Sequence, residues 1–124
     1  LPNVPVAVME LDLEVLLADG DHYFAMNGIS VQPAVYEDVA IVVDESVPAT
    51  QVETLIRQTG GKLLDDIRLF DVYRGKPIPA GKKSLAYALT FQAPDRTLTD
   101  DETQKLRSKI VARLERDLGA TLRA

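Results

Sequence analysis

Four bases crowd one stretch of the chain, Arg74, Lys76, Lys82 and Lys83, and no acid lies between Val72 and Pro94. Beside the ring of Tyr73, they make the set of groups that holds single-stranded RNA: cations for backbone phosphates and a flat surface for an unstacked base. The plainer reading is that four cations keep a surface loop solvated, and composition does not separate the two.

Other chemistries lack their parts. His22 is the only histidine, next to Asp21 in a stretch that reads as a linker, whereas catalytic groups are held on rigid elements. Ser30, Ser46 and Ser84 therefore have no base for a nucleophilic triad. The absence of cysteine excludes disulfides and thiolate metal sites, and fits a reducing, cytoplasmic setting. Asp65-Asp66 and Asp100-Asp101-Glu102 have the carboxylates for magnesium or acid–base work, but the second group falls in a first helical turn, where acids complement the helix dipole. The glycines match neither GxxxxGK[ST] nor GxGxxG.

The bases must be carried by a fold, and the chain is long enough for one. Its 124 residues, 46% hydrophobic and 27% charged, match one folded domain that buries roughly two-thirds of its surface without crosslinks. No apolar run approaches the ~18 residues of a membrane span. The net charge of −5 is unevenly spread: residues 1–60 hold ten acids and Arg57 alone as base, whereas residues 61–124 hold thirteen bases and nine acids. The start at Leu1, without Met or a signal pattern, leads us to expect a piece of a longer protein.

Val4 to Leu17 alternates like a strand running into a short helical or extended piece, and Asp19-Gly20-Asp21, Asn27-Gly28 and Pro33 mark a linker. The domain boundary is expected there, giving 1–33 as tail and linker and 34–124 as the folded domain. Val35, Val39, Ile41 and Val43 predict a first strand. Pro48 followed by Val52, Leu55 and Ile56 predicts a helix ending at Gly60-Gly61. Leu63 to Tyr73 reads as a strand of unassignable register with room for a bulge, Arg74 to Lys83 as a long hairpin loop, and Ser84 to Gln92 as a strand with Leu85, Tyr87, Leu89 and Phe91 inward. Thr99 to Glu102 is a capping box for a helix that Gly119 ends before a last short strand at Ala120 to Arg123.

The resulting order, β-α-β-β-α-β, is the α+β, ferredoxin-like split βαβ sandwich: a four-stranded antiparallel sheet with two helices on one face. Its first and third strands are central, so Asp38, Ala40, Val42, Ala86, Ala88 and Thr90 are expected side by side on an uncovered face.

The runs PAVYEDVAIVVD (33–44), LLDDIRLFDVYRGKPIPAGKKSLAYALTFQAPDRTLTDDE (63–102) and GATLR (119–123) closely resemble the C-terminal ferredoxin-fold anticodon-binding domain of the bacterial phenylalanyl-tRNA synthetase beta subunit. FDVYRG, GKKSLA and RTLTDDE are its most specific parts, and VAVMELDLEVLL resembles the end of the preceding domain. The resemblance implies a non-catalytic module of a ligase of two alpha and two beta chains. ATP and magnesium would act in the parent enzyme, with the alpha subunit activating phenylalanine, while this domain holds the tRNA(Phe) anticodon stem-loop. The implied RNA contacts are Tyr36, Asp38, Tyr73, Arg74, Lys76, Lys82, Lys83, Ser84 and Ala86. Where the family often carries bases before the Asp of the first strand, this chain has Tyr36 and Glu37, a stacking ring and a charge that would repel phosphate. Two rivals share the fold: an ACT-like small-molecule regulatory module, and a protein-interaction domain that packs its open sheet on another subunit.

Overall fold

Val39, Ile41 and Val43 sit at alternate positions of an extended backbone, so one side of the strand takes all three out of water, at 1%, 1% and 0% exposure. Their strand is β1 (Val35–Asp44) of a computed structural model that describes residues 5–20 and 31–123. Around it, in chain order, run α1 (Leu13–Asp19), α2 (Ala49–Gly60) with a 3-10 turn (Gly61–Leu63), β2 (Leu64–Tyr73), β3 (Lys82–Phe91), α3 (Asp100–Leu118) and β4 (Thr121–Leu122). From Val35 onward this is the predicted β-α-β-β-α-β order. The strands lie as β2-β3-β1-β4, each pair antiparallel, so the first and third are central as expected.

One continuous core joins the inward residues of β1 and β3 to Val52 and Ile56 of α2 and Ile110 and Leu114 of α3. Tyr87 brings a hydroxyl into it, which donates to the Ala49 carbonyl at 3.2 Å and so meets the demand of a buried polar group for a partner. Where α2 hands over to β2, a Cβ on Gly60 would stand 2.6 Å from that of Leu64, so only glycine permits this approach. The start of α3 carries the full capping box, Thr99 to Glu102 and back.

β2 resisted register assignment because it is irregular. Its pairing with β3 skips at Asp65 and again at Phe70, two bulges that shift the alternation and so bring Asp66 and Asp71 to the same face although they are five residues apart. The alternation of Val4 to Leu17 misled in a different way. Residues 5–12 form no strand, because no sheet edge receives them, and Val6, Val8 and Met9 are exposed. Only the short α1 follows, opened by Asp12, which accepts from the Glu14 N–H at 3.0 Å. His22, Asn27, Gly28 and Ser30 of the expected linker lie outside the described residues.

Candidate functional site

The register of the three long strands fixes which side chains share the face opposite the helices. Partners across an antiparallel pair point the same way, so this face is built of rows. Asp66, Thr90 and Tyr36 form one row; Arg68, Ala88 and Asp38 the next; then Asp71, Ala86 and Ala40; then Tyr73, Ser84 and Val42. Lys82 and Asp44 close the end. The small residues predicted for this face are there. At the end with Tyr36, which is 76% exposed, the surface is open.

At the other end Arg123 lies over it. Just past β4, its backbone N–H donates to the Ala40 carbonyl at 2.8 Å, and its side chain runs across β1 and β3. One Nη reaches the Ser84 hydroxyl at 3.4 Å, and the guanidinium carbon stands 5.3 Å from the centroid of the Tyr73 ring, a cation–π distance. This explains why Ser84, Val42 and Ala86 are buried in a face that no helix covers. The Tyr73 hydroxyl is tied down as well, donating to the Lys76 carbonyl at 2.7 Å. The ring is thus fixed by its own hairpin and clasped by a residue fifty positions away. Sequence reading missed Arg123 as a part of the site, and also Asp71, whose row position puts a carboxylate between Tyr73 and Arg68.

The hairpin bases do not act alike. Arg74 binds Glu45 with Nε 3.0 and 2.9 Å from the two carboxylate oxygens, and this hydrogen bonding holds Glu45 below the usual carboxylate range. Lys82 lies 3.5 Å from Asp44. Lys76 is exposed on the turn. Lys83 faces away from the open side: it shares the side of Leu85 and Val43, is 9% exposed, and donates from Nζ to the Glu45 carbonyl at 3.0 Å. The strand alternation that put Leu85 inward also assigns Lys83 to that side. Glu37, read as a threat to phosphate, sits on the helix side too, accepting from Gln104 Nε2 at 3.2 Å and paired with Arg107 at 3.7 Å. Its charge is answered there, and the face keeps only the Tyr36 ring.

The acids of the α3 entrance serve the helix. Glu102 accepts two bonds at 2.7 Å from Arg96 and one at 3.0 Å from the Thr99 N–H. The Arg96 bonds foremost, then that N–H, bring its pKa from 4.5 to about 2. A depressed carboxylate stabilises the fold above its unfolded pKa and loses that contribution as pH falls through the folded one, here between about 4.5 and about 2. Glu102→Gln keeps a capping side chain but cannot titrate, so its melting temperature is expected to fall less than that of the wild type across this window in thermal unfolding. Among the described residues no three His, Cys, Asp or Glu side chains gather to hold a metal ion, and no helix is long and apolar enough to cross a membrane.

The family model for the ferredoxin-fold anticodon binding domain matches residues 30–123. Phenylalanine–tRNA ligase beta subunits are similar over nearly the whole chain. The protein of Clostridium tetani is 46% identical over 116 residues, 94% of this chain and 15% of its own length. That of Anaeromyxobacter dehalogenans is 47% identical over 118 residues, 95% of this chain and 14% of its own. That of Corynebacterium jeikeium is 44% identical over 124 residues, 100% of this chain and 14% of its own. The chain therefore spans about a seventh of these relatives. Nothing in these matches supports the ACT-like alternative.

Proposed function

The chain belongs to the ferredoxin-fold anticodon-binding domain family, and on that premise we propose that its uncovered sheet face receives the anticodon loop of tRNA(Phe) within a phenylalanine–tRNA ligase. The observation that carries this reading is the arrangement around Tyr73: a fixed aromatic ring on a face of small residues, with the Arg123 guanidinium above it. An RNA loop presents unstacked bases, and proteins take them on aromatic or guanidinium planes while hydrogen-bonding their edges. Tyr73 and Arg123 supply the planes. Asp71 and Asp38 supply acceptors for base N–H groups, and Ser84 a hydroxyl that donates or accepts. Ala86 and Ala40 leave the height a base needs, and Tyr36 offers a second ring at the open end.

Phosphates are the business of the rim, Arg74, Lys76 and Lys82. Lys83 contributes indirectly, by fixing the Glu45 carbonyl at the base of the hairpin. An acidic chain binds a polyanion in this way because its surface is locally, not globally, positive.

In the same proposal residues 1–33 are the tail of a preceding domain and linker, and 34–124 the binding domain. The parent is a cytoplasmic enzyme of two alpha and two beta chains. ATP and magnesium chemistry belongs to its alpha subunit. The residues described here do not fit either group: the best carboxylate cluster is spent on Arg96 and the α3 cap. The domain's task is then to hold the far end of the tRNA while phenylalanine is transferred elsewhere.

Binding of tRNA to the parent ligase over a salt series tests this. The slope of log affinity against log salt changes by about −0.7 for each single-strand phosphate contact. Neutralising Lys76 and Lys82 together is therefore expected to flatten the slope by roughly 1.4. An unchanged slope means that the rim does not touch RNA.

A further inference from the structure

Within the hairpin, Arg74 is the base whose charge is already met in full. Nε faces both Glu45 oxygens at 3.0 and 2.9 Å and one Nη adds a contact at 2.5 Å, so the carboxylate fills the fork with which a guanidinium grips phosphate. Glu45 is fastened where it stands. Its N–H donates to the Gly81 carbonyl at 2.9 Å and its carbonyl accepts from Lys83 Nζ at 3.0 Å, while its side chain stays 46% exposed. The pair lies in a cleft of about 660 Å³ between the β1–α2 turn and the hairpin, with Lys76, Ile78, Pro79 and Lys82 along its wall. Asp44 pairs more loosely with Lys82, at 3.5 Å. Asp44, the last residue of β1, and Glu45 just after it thus occupy two of the hairpin cations.

We infer that this cleft is the seat of one backbone phosphate of the RNA strand, and that Glu45 is its resident placeholder, released from Arg74 when the phosphate arrives. The inference rests on the RNA reading of the sheet face. It follows from the matching of the two anions: carboxylate and phosphodiester each carry one negative charge and both accept two parallel N–H bonds. The exposure of the pair lets an incoming strand compete. The anchored main chain keeps the freed Glu45 close, so it recaptures Arg74 when the RNA leaves. A ligand that lacks a phosphate at this place cannot open the pair, which makes Glu45 a discriminating residue as well as a spacer.

The test is Glu45→Gln in the full ligase, beside Arg74→Gln and the double variant, each titrated with tRNA over a salt series. Glu45→Gln is expected to bind about 1.5- to 5-fold more tightly at low salt, the range of an exposed ion pair. Its salt slope should match that of the wild type, because the same phosphate is bound in both, whereas Arg74→Gln should lose about 0.7 of it. Arg74→Gln should bind more weakly, and the double variant should match it. If Glu45→Gln binds no more tightly than the wild type, or weakens binding as Arg74→Gln does, the placeholder role is overturned. So is the RNA assignment if inorganic phosphate raises the melting temperature of Glu45→Gln while tRNA binding is unmoved. Failure of the underlying reading looks different: tRNA binding by the ligase would then ignore both loss of the Tyr73 ring and neutralisation of Lys76 and Lys82.

Discussion

Replacing Tyr73 with Ala is expected to weaken tRNA binding by the parent ligase by about 1–3 kcal/mol, the value of one base stacked on an aromatic ring. That is roughly a 5- to 150-fold loss. The substitution removes the plane and also frees Arg123, whose guanidinium loses the ring it stands over. Tyr73→Phe separates stacking from the hydroxyl. It keeps the plane and gives up only the bond to the Lys76 carbonyl, so most of the affinity should remain. Titration of the ligase with tRNA reads the first effect, and kcat/KM for aminoacylation at low tRNA reads its consequence. An affinity for Tyr73→Ala equal to that of the wild type, in a ligase of unchanged melting temperature, would remove the central plane from the proposed site.

The second large effect concerns the scaffold. Phe91 is fully buried at the end of a central strand, between Val35 on one side and Leu64 on the other. Phe91→Ala is expected to destabilise the domain by about 3–5 kcal/mol, from lost burial and from the cavity left behind. Phe91 belongs to the end of β3 far from the Tyr73 and Ser84 row. At a temperature where the variant stays folded, the affinity for tRNA should therefore be nearly unchanged. Urea unfolding measures the first quantity and a binding titration the second. A large loss of affinity in a folded variant would mean that the two ends of the sheet are coupled.

The regular parts of this fold are written locally. β1 and β3 alternate without interruption, the α3 entrance carries its own cap, and Gly119 adopts the left-handed conformation at φ 62° that ends the helix. A reader of residues needs nothing distant to place them. β2 is different, because each bulge inserts one residue and reverses the parity of those that follow, so no single alternation describes it. The charges were harder still. The resemblance sets Glu37 near phosphate, at a position where the family often carries a base, but neighbours along a strand point to opposite sides, and its partners Gln104 and Arg107 lie on a helix some seventy residues on. Tyr73, Ser84 and the hairpin cations were visible as a motif. Arg123 was not, since its role depends on β4 docking beside β1, and a final two-residue strand announces nothing about what its flanking side chain will cross.

The irregularity of β2 has a consequence for the neighbourhood in which the domain works. β2 is an edge strand of ten residues, and such an edge is an invitation for another chain to add itself to the sheet. The steps at Asp65 and Phe70 break the spacing of its outward N–H and C=O groups, and Asp65, Asp66 and Asp71 line it with negative charge. A second copy approaching side by side meets a crooked, like-charged border. Molecules that collide at high concentration are thereby kept from fusing into stacked sheets, and the face beside that border stays uncovered.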